Sequence, residues 1–333
     1  MPEEIRPDFF RIRVPLPDSP LKYLNSYVIR STTRHLVIDT GLNREECRSA
    51  MMAGLEELDV DLADTDFFIT HLHADHFGLV GRLATDSSRI FFNRPEAELI
   101  ESWSGWEPMI AFAAKNGFPE DELRLAIQSH PGHKFGSEWV PDVSVMKDGD
   151  RINAGPYSFQ CLFTPGHSMG HMCLYEPVQK ILVAGDHILV DITPNIQCWS
   201  DSENPLKRYL ESLDRVNGLD IVLTLPAHRR LIGNPADRIR DLRAHHSRRL
   251  TEVVAILEKG PQHAYQVASQ MNWDLKAESW EAFPRAQKWF ATGEALAHLR
   301  YLEDTGSVVR EPKSAITCFT LNRAKGRVNG RTA

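Results

Sequence analysis

The sequence predicts an α+β fold in two parts, a large strand-rich region followed by a small helical region closed by a hairpin. Three observations predict it. Short apolar, β-branched runs recur from residue 9 to about 230, and several end beside a histidine or aspartate. A dense histidine cluster directly follows one of these runs, at His71 to His76. Past Pro235 the apolar spacing turns helical for three segments and then returns to alternation at 306–321, the order of a winged helix.

Residues 9–16 and 23–31 read as strands separated by the turn sequence PDSP, and 35–39 is a short apolar run ending at Asp39. Residues 44–57 are amphipathic and helical. The run 66–70 is a buried strand leading into the histidines, a placement that suits chemistry because ligands gather at the carboxyl ends of strands. A helical stretch over 95–130 carries Trp103, Trp106, Met109, Phe112 and Phe118. It is read as core packing for about half of these and as an acyl-pocket lid for the rest. Strand-like runs follow at 157–164, 171–176, 181–184 and 221–224. Helices are expected at 237–258, 262–271 and 284–304. The expected domains are therefore 1–235 with a helical insertion at about 95–130, a winged-helix-like domain at 236–321, and a disordered basic tail at 322–333.

Composition narrows the setting. The five cysteines are scattered, odd in number and lack a C-x-x-C pair, which fits reduced thiols. Acids and proline occupy the N-terminus where a signal peptide would carry a basic start and an apolar core. A cytoplasmic location without membrane attachment is expected. Net charge is −7, unevenly divided: residues 1–236 hold 22 Lys/Arg against 34 Asp/Glu, and residues 237–333 hold 16 against 11. So acidic a region repels polyanions, which weighs against a nucleic-acid substrate. Arg285, Lys288 and Arg300 on the third C-terminal helix are offset by Glu294, Glu303 and Asp304, a weaker positive face than a recognition helix carries.

The segment carrying the chemistry is Thr70-His71-Leu72-His73-Ala74-Asp75-His76. On a tight loop after a strand, His71 and His73 can face one metal while Asp75 and His76 face a neighbour. Three later segments add ligand-type side chains beside small residues: His167 in TPGHS, Asp186 in AGDH and His228 in LPAH. Singly, each is ordinary loop chemistry; with the first cluster they form a set. His187, next to Asp186, points the other way along a strand and reads as structural. His171 reads as support for the His167 loop. His245 and His246 read as helix-surface or domain-contact residues, and His130 and His133 carry no assignment.

The motifs HLHADH, TPGH, GDH and PAH, in this order, resemble those of the metallo-β-lactamase superfamily, and HLVIDTG is similar to its first motif. The resemblance covers residues 9 to about 230. It implies an αββα sandwich with metals at one edge, here followed by the small winged-helix-like domain. It implies His71, His73 and His167 on one metal, Asp75, His76 and His228 on the other, Asp186 bridging, and Asp39 supporting the loop. The bridging Asp186 argues against the true β-lactamases, and His73 against the flavodiiron branch. The short His76–His167 interval argues against the β-CASP nucleases. The remaining likeness is to the glyoxalase-II-like hydrolases.

Two divalent metal ions are expected, zinc by default, with iron or manganese as alternatives. A metal-bridging hydroxide would attack a polarised carbonyl, with Asp75 assisting proton transfer and Asp186 holding the bridge. The expected activity is hydrolysis of an acyl-CoA, acyl-carrier-protein or glutathione thioester. The alternatives are an endoribonuclease and a lactonase. The expected partner is a small thioester or ester, with nucleic acid not favoured, no membrane, and a homodimer open. A third, non-enzymatic reading, a metal-bound regulator, is disfavoured by the intact set of seven ligands.

Overall fold

The computed structural model describes residues 1–135, 142–274, 277–311 and 315–323. Of the basic tail, residues 324–333 lie outside the described residues. Contacts divide the chain into two compact units. One comprises Met1–Trp103, Pro131–Pro194 and Ser212–Ile239; the other comprises Ser104–His130, Asn195–Glu211 and Arg240–Ala333.

The first unit is built on two sheets. One has seven strands in sequence order: β1 (Glu3–Arg6), β2 (Phe9–Pro15), β3 (Tyr23–Ile29), β4 (His35–Ile38), β5 (Thr65–Phe68), β6 (Ile90–Asn93) and β7 (Ser144–Met146). Pairing is antiparallel through β4 and parallel beyond it. The other sheet holds β8 (Arg151–Ala154), β9 (Tyr157–Phe163), β10 (Met172–Glu176), β11 (Ile181–Gly185) and β12 (Leu223–Pro226). Its last pair, β11 and β12, is parallel and sets Gly185 opposite Pro226.

Continuous apolar runs, rather than alternating ones, arise because the first sheet is buried on both faces. Adjacent side chains take opposite sides. Phe9, Tyr27, Ile38 and Phe68 meet Phe159, Leu174 and Val183 of the second sheet. Phe10, Val28, Val37 and Phe67 instead pack with Cys47, Met51 and Leu55 of α1 (Glu45–Glu57). The short helices α2 (Ala74–Phe77) and α3 (Val80–Leu83) complete that layer through Phe77, Val80 and Leu83. Asn93 caps α4 (Arg94–Glu101), its side chain accepting from the Glu96 amide. The unit is an αββα sandwich.

The second unit contains α5 (Glu107–Lys115) and α6 (Glu120–Ser129), whereas α7 (Pro131–Phe135) belongs to the first. The stretch expected as an insertion in the first domain thus falls with the second unit from Ser104 onward. The reason is apolar: Ile110, Ala113, Phe118, Leu123 and Ala126 form one core with Trp289. That core answers for the buried members of the aromatic stretch as packing, while Trp103 is exposed. After α8 (Pro205–Asn217), which straddles the division, come α9 (Ala236–Leu257), α10 (Ala264–Gln270) and α11 (Arg285–Asp304). The strands β13 (Gln262–His263), β14 (Val308–Arg310) and β15 (Cys318–Leu321) form a small sheet ordered β13-β15-β14. This is the helical and small-sheet module expected after the sandwich. Eleven residues of α11 are buried, Lys288 among them with its Nζ on Glu122 at 3.2 Å, so α11 is a core helix.

A polar layer crosses this unit. Glu294 of α11 accepts from Asn195 Nδ2 at 2.8 Å, and its other oxygen lies 3.7 Å from Arg249 Nε. Burial raises the Glu294 carboxyl to about 7, with Arg249 and Asn195 opposing. The folded state therefore keeps a proton that the unfolded chain releases near pH 4.5. Stability from this group is present below that pH and is lost as pH rises through about 7. Wild type should lose on the order of 3 kcal/mol relative to Glu294→Gln between about pH 4.5 and about pH 8 in urea melts. Parallel pH curves for the two proteins would contradict this.

Candidate metal centre

Four strand ends deliver the site. β5 leads into His71, β9 into His167, β11 into Asp186 and β12 into His228. Asp39, just past β4, is buried at φ 57°. Its Oδ1 accepts from the Thr70 amide at 2.8 Å, and its Oδ2 accepts from Thr70 Oγ1 and His76 Nδ1, both at 2.8 Å. A carboxylate only accepts, so His76 carries its proton on Nδ1 and turns the Nε2 lone pair inward. The Thr70 hydroxyl, having donated to Asp39, accepts from His71 Nδ1 at 3.0 Å, which leaves His71 Nε2 bare. His228 Nδ1 donates to the Tyr23 carbonyl at 3.0 Å, with the same result for its Nε2.

These bare nitrogens converge in groups. His71 Nε2 and His167 Nε2 lie 2.9 and 3.0 Å from His73 Nδ1. Asp75 Oδ2 lies 3.4 Å from His228 Nε2, and Asp75 Oδ1 lies 3.9 Å from His76 Nε2. Asp186 spans the two groups. Its Oδ2 is 3.5 Å from His167 Nε2, and its Oδ1 is 3.4 Å from His228 Nε2 and 3.7 Å from His76 Nε2. Three sets lie close enough to hold an ion: His71, His73 and His167; His71, His76 and Asp186; Asp75, His76 and His228. His76 Nε2, His228 Nε2 and Asp186 Oδ1 are fully buried with no hydrogen-bond partner. Buried polar atoms are almost always paired, and a lone-pair set of this composition is what divalent cations complete. The residues present fit a dinuclear centre.

The charges agree with that fit. Burial, with mutual crowding of imidazoles, holds His71 well below the ordinary histidine range and His73 down at about 3, so both stay neutral. Burial also pulls on His76, but Asp39, Asp186 and Asp75 together hold it well above that range. The Asp186 carboxyl, despite burial, is held well below the ordinary range by His228, His76 and His167. Protons here occupy the field that cations would otherwise satisfy.

The neighbouring histidines separate cleanly. His171 accepts from the Asp186 amide through Nε2 at 3.2 Å and shares 2.8 Å with Thr164 Oγ1 through Nδ1, so it supports the Asp186 turn as well as its own strand. Gly185 is required there: its φ is +50°, and a Cβ would fall 2.6 Å from His171 Nε2. His187 is buried, and neither it nor His130, His133, His245 or His246 joins a ligand set. Sequence reasoning missed Asn25 and Tyr27, which donate to the Pro226 carbonyl at 2.9 and 2.6 Å and steady the His228 loop. Nothing local marks them. It also missed Glu96, whose signal was present: Asn93-Arg94-Pro95-Glu96 is a helix-start sequence with an acid at the third helical position.

An αββα sandwich with seven histidine and aspartate side chains at four strand ends defines a metal-dependent hydrolase with a dinuclear site. The chain belongs to the metallo-β-lactamase superfamily, whose model matches residues 21–228; a second model, the metallo-beta-lactamase-like C-terminal domain, matches residues 250–320. The probable metallo-hydrolase YqjP of Bacillus subtilis (strain 168) is 26% identical over 310 residues, covering 89% of this chain and 92% of that one. The human acyl-coenzyme A thioesterase MBLAC2 is 28% identical over 214 residues, 61% of this chain and 72% of that one. A metallo-β-lactamase family protein of Thermus thermophilus superposes with a TM-score of 0.80 at 28% identity, covering 96% of this chain and 100% of the other.

Asp39→Ala strips the partner from three buried donors at once. It should cost about 3 kcal/mol or more of folding stability in urea denaturation of the metal-free protein. A loss below about 1 kcal/mol would remove Asp39 from this role.

Proposed function

We propose that the protein hydrolyses thioesters of the acyl-coenzyme A class. In this reading His71, His73 and His167 hold one metal, Asp75, His76 and His228 hold the other, and Asp186 joins them. The observation that carries it is the divided Asp186 carboxylate, one oxygen toward each group of imidazoles. Bound there, two divalent cations, zinc by the donor set, supply Lewis acidity and lower the pKa of water toward neutrality.

The chain's own residues do the rest. Asp186, almost wholly buried, keeps both groups in register, whereas Asp75 has a fifth of its side chain exposed and can reach a substrate. Hydrolysis breaks the acyl–sulfur bond, places the water oxygen on the acyl carbon and sends a proton to the departing thiolate. Asp75 is the group placed to carry that proton. Met169, two residues past His167, is 42% exposed and offers apolar surface for an acyl chain.

Three further facts support this reading over a nuclease. The relatives named acyl-coenzyme A thioesterase MBLAC2, from human and cattle, both align at 28% identity. The acidity of residues 1–236 opposes a polyanion. The basic side chains Lys288 and Arg300 of α11 are tied to Glu122 and Glu303. No helix among the described residues is long and apolar enough to cross a membrane, and all five cysteines are free thiols, which suits the cytoplasm.

Metal-quantified protein assayed against an acyl-CoA panel, a lactone and single-stranded RNA tests the reading. Thioester cleavage should require about two metals per chain and stop on chelation. It should fall at least about 1,000-fold in Asp186→Ala and His73→Ala, with circular dichroism unchanged. RNA or lactone cleavage with silent thioesters would replace the proposed substrate. Wild-type turnover in either variant would overturn the site.

A further inference from the structure

Glu96 is a buried carboxylate outside the seven ligand-type residues, and each of its oxygens is engaged by a different loop of the site. Oε2 accepts from the Leu72 amide at 2.8 Å, and Leu72 lies between His71 and His73. Oε1 accepts from the Gly170 amide at 3.2 Å, three residues past His167. Asn93 Nδ2 donates to Oε2 at 2.8 Å, while Asn93 Oδ1 caps the helix on which Glu96 sits. Gly170 has no room for a side chain, since a Cβ would fall 1.7 Å from Asn93 Oδ1. The close approach of the two loops is thus built around this one carboxylate. The groups it draws together are the nitrogens of His71, His73 and His167.

We infer that Glu96 is a positioning residue that sets the affinity of the His71, His73 and His167 metal position, by clasping the two loops from behind. The inference rests on the reading that those three histidines hold a metal. Nothing comparable among the described residues ties it to the other position, whose ligands are oriented by Asp39 and the Tyr23 carbonyl. A carboxylate offers acceptors at both ends. The isosteric amide offers one acceptor and one donor, and so must confront one of the two amide N–H groups with an N–H of its own.

The test is stepwise zinc titration of metal-free protein against a chromogenic chelator, for wild type, Glu96→Gln and Asn93→Ser. The Ser side chain keeps the helix cap but replaces the amide donor to Glu96 with a single, shorter hydroxyl. A His228→Ala background isolates the first position. Glu96→Gln should weaken that position by roughly 10- to 100-fold and leave the second within about twofold. Asn93→Ser should weaken the same position by a smaller factor. Cobalt substituted at the first position should show a shifted visible absorption band. Unchanged affinity, or equal weakening of both positions, would overturn the inference and leave Glu96 a structural carboxylate. Should Glu96→Gln fail to fold, Asn93→Ser decides alone by the same criterion. Failure of the metal reading itself would look different, because wild type would then bind no zinc.

Discussion

The arrangement of the centre depends on one carboxylate that stands behind the imidazoles. Asp39 can only accept, and that restriction propagates. It obliges His76 to donate through Nδ1 and Thr70 to donate through its hydroxyl. Thr70 must then accept from His71, which bares the opposite nitrogen of that ring. One acid therefore sets the tautomers of two imidazoles in two different groups. It does so from a left-handed backbone conformation at φ 57°, which aspartate adopts more readily than most non-glycine residues.

The sandwich makes such rear support available. A sheet buried on both faces sends its strand ends into a region already closed to water on two sides. Loops leaving those ends can hydrogen-bond to each other instead of to solvent. Asp39 bonds across from β4 to the loop after β5, Asn25 and Tyr27 from β3 to the last residue of β12, and Glu96 from α4 to two loops at once. Each places a hydrogen-bond partner behind the imidazoles and leaves the space in front to the lone pairs. The unpaired atoms of His76, His228 and Asp186 follow from this division, and a bound cation offsets the desolvation they would otherwise carry.

What was legible in the chain was whatever is local. The histidine cluster, the strand-end placement of His167, Asp186 and His228, and the helices found as α9, α10 and α11 all come from spacing within short stretches of chain. The supporting bonds are not local. Asn25 and Pro226 are 201 residues apart, and an asparagine inside an apolar run looks the same whether or not it has such a partner. Glu96 shows the intermediate case, since its helix-start sequence was visible but the use of its carboxylate was not. The allocation of α5 and α6 to the second unit was hidden for another reason. Their apolar faces match any core, and residues far along the chain, Trp289 with Trp199 and Tyr265, decide which one they join.

The same distinction governs how the C-terminal module should be understood. The order of elements expected from the sequence is that of a winged helix, a form whose third helix commonly lies in the groove of DNA. A groove-reading helix must keep a solvent-facing cationic side. In α11 the opposite has happened: Lys288 is buried on Glu122, Arg300 is paired with Glu303, and Trp289 and Leu299 are buried. Two of its three basic side chains are thus paired with acids of the same unit, which leaves little to displace counterions from a phosphate backbone. With 22 basic residues set against 34 acidic ones, the first 236 residues oppose such attraction rather than add to it. The third helix of this helical and small-sheet module therefore has the chemistry of a core helix.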